Sequence, residues 1–350
     1  MQSQKCDMPN TDLKSLFSRG LYIHAPDQTL THFSGCLIEG LLDLGIGVKT
    51  NATQVTSRPA SAPLKDFDLS TIHAEPLTGF SAYLVDISAH NTFITFEGVE
   101  PAPVAYITTS DISIFSEVPN PHIVFVAHDS TAAVKPGQRI PIAFGLPKHL
   151  CDTSKNVLPT GQRDQVVLDS FRPTLHQGVR ALLELAFTPV LSKSIPVTKL
   201  NAPPARYIKT LENTALCLAY GGEFYSPIMG NHWFKNHQPT LFAQHTFEHI
   251  ETAAVLRWDS WRFWEALSCG CIPIHLDFEK YSFNLPITPK AWTHYIPLDL
   301  SDLSESADAI WERRAEWPNI AKAGRTWAIE HYAPAPTAQR ILSALADVLP

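Results

Sequence analysis

The segment from Trp258 to Asp277, WDSWRFWEALSCGCIPIHLD, constrains the fold more than any other stretch of the chain. Its apolar residues between Phe263 and Leu267 recur at helical spacing, and Gly270 follows where the end of a helix favours a left-handed residue. The apolar run that begins at Ile272 is typical of a parallel strand buried on both faces. The segment therefore predicts a helix, a tight turn and an interior strand, which together form a unit of an α/β fold.

The polar side of this helix carries Ser260, Arg262 and Glu265, which we expect to be exposed. A carboxylate can accept hydrogen bonds from ribose hydroxyls, while a guanidinium and a helix N-terminus attract phosphate. These residue types in this order predict a nucleotide site. The plainer alternative is an ordinary helix-to-strand turn whose glutamate lies on a solvated face.

The string R-F-W-E-A-L-S-C-G-C-I-P-I resembles the donor-site motif of glycosyltransferases with two Rossmann-like domains facing a cleft, the GT-B architecture. The pattern S-x-R-x-x-E-A-x-x-x-G-C-I-P is similar to that of exostosin-like and CgeB-like members. The resemblance implies an α/β fold and transfer of a hexose-type sugar from a nucleotide-sugar to a hydroxyl acceptor. It also implies that Glu265 binds the ribose and that Ser260 and Arg262 belong to the donor site.

A second stretch, S-F-R-P-T-L-H-Q-G-V-R-A-L, is similar to the strand, loop and helix that open the donor domain of exostosin-like proteins. The resemblance implies that Arg172 and Arg180 bind the donor, although Pro173 replaces the glycine of the family's F-R-G-type loop. The E-x₇-E pattern of many retaining enzymes is absent, because Arg257 stands eight residues before Glu265. This departure argues against the retaining mechanism of that subgroup.

The length of 350 residues favours two domains, since single cores rarely exceed ~250–300 residues. The net charge of −7, without a long run of Lys or Arg, argues against nucleic acid as a partner. No apolar stretch is long enough for a transmembrane helix, and the first residues lack the apolar core of a signal peptide. Six scattered cysteines favour buried thiols in a cytoplasmic protein.

The order of apolar runs predicts two domains and a final helix. Residues 1–155 are expected to form the first domain, which opens with a strand, helix and strand between 20 and 50, and residues 156–332 the second. The resemblance implies that the first is the acceptor domain, that the second is the nucleotide-sugar donor domain, and that 333–350 form a helix that packs back on the first domain. The polar, breaker-rich stretch 147–163 is interpreted as the linker.

A base that deprotonates an acceptor hydroxyl is expected from the first domain. His24 and Asp27 lie in the loop after the first strand, and Asp129, beside His128, follows a later strand. Side chains after parallel strands gather where ligands of α/β sheets bind. Such residues are often only caps or turn formers, so both readings stay open.

Aromatic residues and glycines add weaker expectations. Trp258, Trp261 and Tyr220 could stack on a base or a sugar, although aromatic residues at helical spacing are more often core. Gly221, in a Gly-Gly pair, could let backbone approach a phosphate.

We expect no metal and no cofactor beyond the sugar donor itself, a UDP- or GDP-linked substrate, because arginines and a helix N-terminus can take up the charge of the leaving diphosphate. The acceptor class that the resemblance implies is a glycan or glycoconjugate. A non-catalytic nucleotide- or glycan-binding protein of the same fold is the main alternative. A zinc hydrolase is a third reading, since 245–249 spells His-Thr-Phe-Glu-His, but no third ligand is evident.

Overall fold

The computed structural model describes residues 10–56, 68–74, 78–88, 104–109, 123–130, 138–153, 157–171, 178–200, 204–225 and 254–349. These residues divide into two compact units. Unit 1 draws on Met1–Ala127, Lys135–Cys151 and Glu330–Pro350. Unit 2 draws on His128–Val134 and Asp152–Ile329. The predicted α/β class is confirmed, because each unit is built on a parallel sheet of Rossmann-like order.

Unit 1 contains eight strands among its described residues. In chain order they are β1 (Leu21–His24), β2 (Thr29–Leu30), β3 (Val48–Thr50), β4 (Gln54–Val55), β5 (Ala82–Asp86), β6 (Val104–Thr108), β7 (Ile123–Val126) and β8 (Gln138–Pro141). The helices that accompany them are α1 (Asn10–Leu16), α2 (His32–Asp43), α3 (Leu69–Ile72) and α4 (Lys148–Thr153). Six of the strands form a parallel sheet in the order β3-β1-β5-β6-β7-β8.

The chain order of unit 1 reverses beside β1. From β1 the chain passes through α2 to β3 on one side and later returns to β5 on the other. Such a reversal leaves a crevice at the carboxyl ends of the two central strands, which is where open α/β sheets bind ligands. In unit 1 those ends are His24 and Asp86.

Unit 2 contains seven strands among its described residues. They are β9 (Asp164–Asp169), β10 (Val197–Lys199), β11 (Thr214–Leu218), β12 (Glu223–Tyr225), β13 (Ala254–Leu256), β14 (Ile272–Leu276) and β15 (Ile296–Leu298). The helices are α5 (Val179–Ala186), α6 (Thr188–Leu191), α7 (Pro204–Asn213), α8 (Trp261–Ser268) and α9 (Leu303–Glu312). Short 3₁₀ turns occupy Thr160–Gln162 and Arg314–Glu316.

The parallel sheet of unit 2 has the order β10-β9-β11-β14-β15. Here the reversal falls between β9 and β11, because β10 lies on one side of β9 whereas β11, β14 and β15 lie on the other. The two ends that meet at this switch point are Asp169 and Leu218.

The C-terminal helices are α10 (Trp317–Tyr332) and α11 (Pro334–Ala346). The chain passes from unit 2 to unit 1 at Glu330, within α10. Helix α11 packs on α2 inside unit 1, and Gly40 makes the approach possible. A Cβ at Gly40 would lie 2.0 Å from the carbonyl oxygen of Pro334.

The predicted helix, turn and strand of the 258–277 segment are present. Gly270 has φ +67, its N–H donates to the Leu267 carbonyl, and Cys271 N–H donates to the Ala266 carbonyl. This is the Schellman pattern that ends a helix at a left-handed glycine. Strand β14 is buried along its whole length.

Other predictions were less complete. The stretch interpreted as a polar linker contains α4 and a 3₁₀ turn, and Arg163 at its end is buried. The polar and proline-rich stretch 188–206 contains α6, β10 and the start of α7. The apolar run RIPIAFG at 139–145 could form one more strand, but in the structure strand β8 ends at Pro141. Within the described part of the chain, no helix combines the length and apolar character needed to cross a bilayer.

Candidate functional site

The strongest candidate site lies at the switch point of unit 2. Strand β9 ends at Asp169 and continues into Ser170 and Phe171, while β11 is followed by Tyr220 and Gly221. Helix α8 runs antiparallel to the strand that follows it, so its N-terminus lies at this same edge of the sheet. The fold thus brings three sequence-distant segments to the edge where α/β sheets bind ligands.

Arg262, on the first turn of α8, is fixed by the end of β9. Its Nε donates to Ser170 Oγ at 3.0 Å, and one terminal nitrogen donates to the Ser170 carbonyl oxygen at 3.0 Å. No ion pair of Arg262 occurs among the described residues. The guanidinium therefore keeps its positive charge without a carboxylate that neutralises it at short range.

Arg180, on α5, is fixed by the end of β11, the other strand that flanks the switch point. Its Nε donates to the Tyr220 carbonyl oxygen at 3.3 Å. Its guanidinium carbon lies 4.8 Å from the centre of the Phe171 ring, and that of Arg262 lies 5.0 Å from the same centre. One aromatic ring thus holds two cations, each within the range of a cation–π contact.

Gly221 borders this cluster closely. A Cβ at this position would lie 3.4 Å from a terminal nitrogen of Arg180 and 3.4 Å from the Arg257 carbonyl oxygen. The next residue, Gly222, has φ +120, a backbone conformation that favours glycine. Gly221 therefore lies in ordinary contact distance of Arg180, and the positive φ of Gly222 is what requires a glycine in this turn.

Ser260 occupies the N-cap position of α8 without capping the helix. The residue is 4% exposed, and no hydrogen-bond partner for its hydroxyl is found among the described residues. A buried hydroxyl without a partner is costly, and first-turn N–H groups of a helix need acceptors. Both needs would be met by an anionic or polyhydroxyl ligand at the start of α8.

Glu265 is not the exposed carboxylate that the sequence analysis expected. It is 3% exposed and lies near Tyr207 of α7 and Cys217 of β11, where burial, and to a lesser degree the charge of Glu265, raises the pKa values of both side chains. The error arose because α7 was not predicted, so the side of α8 that it covers was taken as solvated. The ribose-binding role of Glu265 stays a prediction.

Two of the three aromatic candidates belong to the core. Trp258 is fully buried and stacks on Phe283 with ring centres 4.7 Å apart. Tyr220 is 1% exposed and packs on Phe171 at 4.9 Å. Trp261, at the first position of α8, is partly exposed and is the one of the three that a ligand can reach without repacking.

The loop before α8 is held by groups that the sequence analysis did not single out. His275 on β14 is fully buried, and its Nε2 lies 3.1 Å from the Trp258 carbonyl oxygen. Trp264 Nε1 donates to the Asp259 carboxylate at 2.7 Å. Burial lowers the pKa of His275 to about 4, so its ring is neutral at physiological pH. These buried contacts fix the backbone that leads into α8 and so help to position Ser260 and Arg262.

Asp129 and His128 group with unit 2, whereas the sequence analysis placed them in the first domain. Asp129 Oδ2 accepts from Asn284 Nδ2 at 3.0 Å, and its carbonyl oxygen accepts from Trp258 Nε1 at 3.1 Å. His128 Nδ1 accepts from Asp259 N–H at 3.0 Å. These contacts tie both residues to the loop before α8 and to Asn284, which explains why they group with unit 2.

The remaining candidates lie in unit 1. Asp27 is exposed, and its Oδ1 accepts from Thr29 N–H at 3.1 Å, which forms an Asx turn. His24 ends β1 and is half-buried, and burial lowers its pKa. His24 is thus the candidate base whose environment favours the neutral, proton-accepting form.

Unit 1 has its own helix N-terminus at a switch point, but a carboxylate of the protein fills it. Asp86 Oδ2 accepts from Thr31 N–H at 2.9 Å, Thr31 Oγ1 at 2.7 Å and Ser34 Oγ at 2.6 Å. An internal anion therefore satisfies the start of α2. No such carboxylate caps α8 in the described part of unit 2.

Some predicted residues fall outside the described ranges. Arg172 does so, as do the histidines of the 245–249 string. Among the described residues, no group of three or more His, Cys, Asp or Glu side chains is arranged to hold a metal ion. The described cysteines are free thiols, and burial raises the pKa of Cys217 and Cys269 to about 12.

Comparison with known proteins returned structural resemblance only. No protein-family model matches the chain, and no curated protein matches it. The chain resembles an alpha-glucosyltransferase solved with UDP-glucose and DNA containing an abasic site, with 9% identity, 93% of this chain and 100% of that chain covered, and a TM-score of 0.49. It also resembles AviGT4, a glycosyltransferase involved in avilamycin A biosynthesis, with 11% identity, 94% and 98% coverage and a TM-score of 0.49. Anabaena Alr3699/HepE in complex with UDP and glucose gives 11% identity, 94% and 100% coverage and a TM-score of 0.43.

Proposed function

We propose that the protein is a glycosyltransferase of the GT-B class. It moves a sugar from a UDP- or GDP-linked donor to a hydroxyl of a glycan or glycoconjugate, without a metal ion. Unit 2 binds the donor and unit 1 the acceptor. The resemblance of the segment that begins at Ser260 to the exostosin-like and CgeB-like donor motif supports a donor site there.

One observation carries the proposal: an unneutralised guanidinium and an unpartnered buried hydroxyl lie together at the first turn of α8. Arg262 makes no ion pair among the described residues, and Ser260 Oγ has no partner there. Both lie at the carboxyl edge of a parallel sheet, beside its switch point. This combination suits a phosphate bound at a helix N-terminus.

The chemistry of sugar transfer explains why two arginines would be useful here. As the bond between the sugar and the diphosphate breaks, negative charge builds up on the leaving phosphate oxygens. Arg180 and Arg262, already held in place, can stabilise that charge without reorganisation. In this class of reaction, fixed cations perform the task that a divalent metal performs in other enzymes.

The acceptor hydroxyl needs a base if the transfer inverts the anomeric centre. We assign this role first to His24, because burial keeps its ring unprotonated near neutral pH. Asp27 is a weaker candidate, since its carboxylate already closes a turn. Asp129 is weaker still, because Asn284 and Trp258 engage its side chain and carbonyl oxygen.

The carboxylates of Asp27 and Asp129 both make structural hydrogen bonds, which favours a second candidate function, a non-catalytic nucleotide- or glycan-binding protein. A panel of UDP- and GDP-sugars separates the two proposals. We expect slow release of UDP or GDP from a donor by wild-type protein, measured with a coupled nucleotide assay, and a loss of release in His24→Ala. Nucleotide binding without any release, with or without added sugar acceptors, would support the binding protein instead.

A further inference from the structure

We infer that Ser170 and Phe171 are positioning residues, which hold Arg180 and Arg262 ready for one shared dianionic phosphoryl group. The inference rests on the proposed function, since it concerns the same site. It adds a residue pair to which neither the motif nor the comparisons assign a role.

Ser170 fixes the plane of the Arg262 guanidinium. Two different nitrogens of Arg262 donate to this one residue, to its hydroxyl and to its carbonyl oxygen, both at 3.0 Å. Two bonds to neighbouring acceptors leave a planar group little freedom to rotate. A guanidinium has five N–H groups, so others stay available for a ligand.

Phe171 supports both guanidiniums from a single ring. The ring lies 4.8 Å from the guanidinium carbon of Arg180 and 5.0 Å from that of Arg262. Asp169 Oδ1 accepts from Phe171 N–H at 3.1 Å, which fixes the backbone that carries the ring. An arginine that contacts a ring through its face can still use its edge for a phosphate.

Arg180 is held in a complementary way from the neighbouring strand. Its Nε donates to the Tyr220 carbonyl oxygen, and its terminal nitrogen lies close to Gly221. The two strands that flank the switch point therefore each hold one cation, and Phe171 links them. An anion in contact with both guanidiniums would be attracted by both charges.

A positioning role has a measurable consequence that a packing role lacks. If the pair acts only through the two guanidiniums, its loss weakens binding of the phosphates and leaves binding of the nucleoside unchanged. The expected penalty is modest, because the cations remain and only their preorganisation is lost.

The test compares four variants with wild-type protein. Phe171→Leu removes the aromatic face and keeps an apolar side chain, and Phe171→Tyr restores the ring. Ser170→Ala removes the hydroxyl that accepts from Arg262. Trp311→Leu is the control, because it deletes a ring that lies 4.5 Å from the guanidinium carbon of Arg314 elsewhere in unit 2.

Two readouts are measured on each variant. Calorimetric titration with UDP and with uridine, and likewise with GDP and guanosine, separates the phosphate part of binding from the nucleoside part. Labelling with phenylglyoxal in the absence of any ligand, followed by peptide mass spectrometry, reports how firmly each arginine is held. The second readout is independent of the proposed function.

We expect Phe171→Leu to weaken binding of the diphosphate about tenfold, leave the nucleoside unchanged, and accelerate labelling of Arg180 and Arg262. Ser170→Ala should accelerate labelling of Arg262 alone, and Phe171→Tyr should behave as wild type. Unchanged labelling in Phe171→Leu, equal losses for diphosphate and nucleoside, or the same effect from Trp311→Leu would each overturn the inference. If wild-type protein binds no nucleotide, the proposed function fails, while the labelling rates still decide whether the pair holds the arginines.

Discussion

At the scale of single residues, Glu265 is the position where sequence and structure differ most. The motif predicts a carboxylate in contact with ribose, whereas the structure buries it beside Tyr207 and Cys217. A buried carboxylate can serve a ligand, a neighbouring side chain, or both. Its two possible roles give different results when the charge is removed and the shape is kept.

Glu265→Gln tests these roles directly. If Glu265 binds ribose hydroxyls, the variant loses charge-assisted hydrogen bonds worth ~1.5–3 kcal/mol, so nucleotide affinity falls by about tenfold to a hundredfold. Titration of UDP and of 2′,3′-dideoxy-UDP measures the effect, and the dideoxy compound should be insensitive to the substitution. A large drop in melting temperature with unchanged UDP affinity would make Glu265 a purely structural residue.

His275 is expected to make stability depend on pH. Its pKa is about 4 in the folded protein, against 6.5 when exposed, because burial disfavours the charged ring. Between these values the unfolded chain binds the proton and the folded chain does not, so stability decreases as pH falls from 6.5 to 4. The slope for one such group is about 1.4 kcal/mol per pH unit.

His275→Asn should reduce the slope of the unfolding free energy against pH by about 1.4 kcal/mol per pH unit. Urea unfolding at several pH values between 4 and 7 measures this slope. Some slope should remain, because burial and the neighbouring His149 lower the pKa of His32 to about 3. An identical slope in the variant and wild type would show that His275 does not exchange a proton on unfolding.

At the scale of elements, helix α2 depends on a glycine for its packing. Alanine favours a helix interior over glycine by about 1 kcal/mol, yet a Cβ at Gly40 would lie 2.0 Å from the Pro334 carbonyl oxygen. Gly40→Ala should therefore lower the free energy of unfolding by about 1–3 kcal/mol. The control is Gly161→Ala, since a Cβ at Gly161 meets nothing within 4 Å. Equal stability of the two variants in thermal unfolding would contradict the close approach of α11.

The elements that could be predicted from the sequence are those with strong local signals. Strands β5, β7 and β14 are runs of apolar residues, and α8 ends at Gly270 with the bonds that its sequence predicts. Strands β10 and β15 have three residues each, too few for a clear period. Strand β3 is as short, but the strand and helix that precede it predict it.

Long-range partners could not be predicted from the sequence. Arg163 stands in a stretch that reads as polar linker, yet it is 4% exposed. Its guanidinium donates to backbone carbonyl oxygens that are up to 106 residues away, at Leu211, Thr214 and Cys269. Backbone acceptors carry no sequence signal, and the same is true of the Ser170 carbonyl that holds Arg262.

At the scale of the whole molecule, the proposed function predicts independence from divalent metals. Two fixed guanidiniums at the start of a helix can supply the charge that a metal would otherwise supply. We therefore expect the affinity for UDP or GDP, measured by calorimetry, to be the same in EDTA as in Mn²⁺. Each is added at about millimolar concentration, which is enough to saturate weak carboxylate sites. Binding that EDTA abolishes and Mn²⁺ restores would refute metal independence.

The central claim is that unit 2 binds a nucleoside diphosphate through the first turn of α8. Titration of UDP, GDP, ADP and CMP into wild-type protein and into Arg262→Gln, with melting temperatures measured in parallel, tests it most directly. The account predicts that UDP or GDP binds wild-type protein and raises its melting temperature by mass action. It also predicts that Arg262→Gln weakens that binding at least about tenfold, since a charge-assisted bond is lost, while the ligand-free melting temperature changes little. The claim would be contradicted if none of the four nucleotides bound the wild-type protein, or if Arg262→Gln bound UDP or GDP as tightly as the wild type.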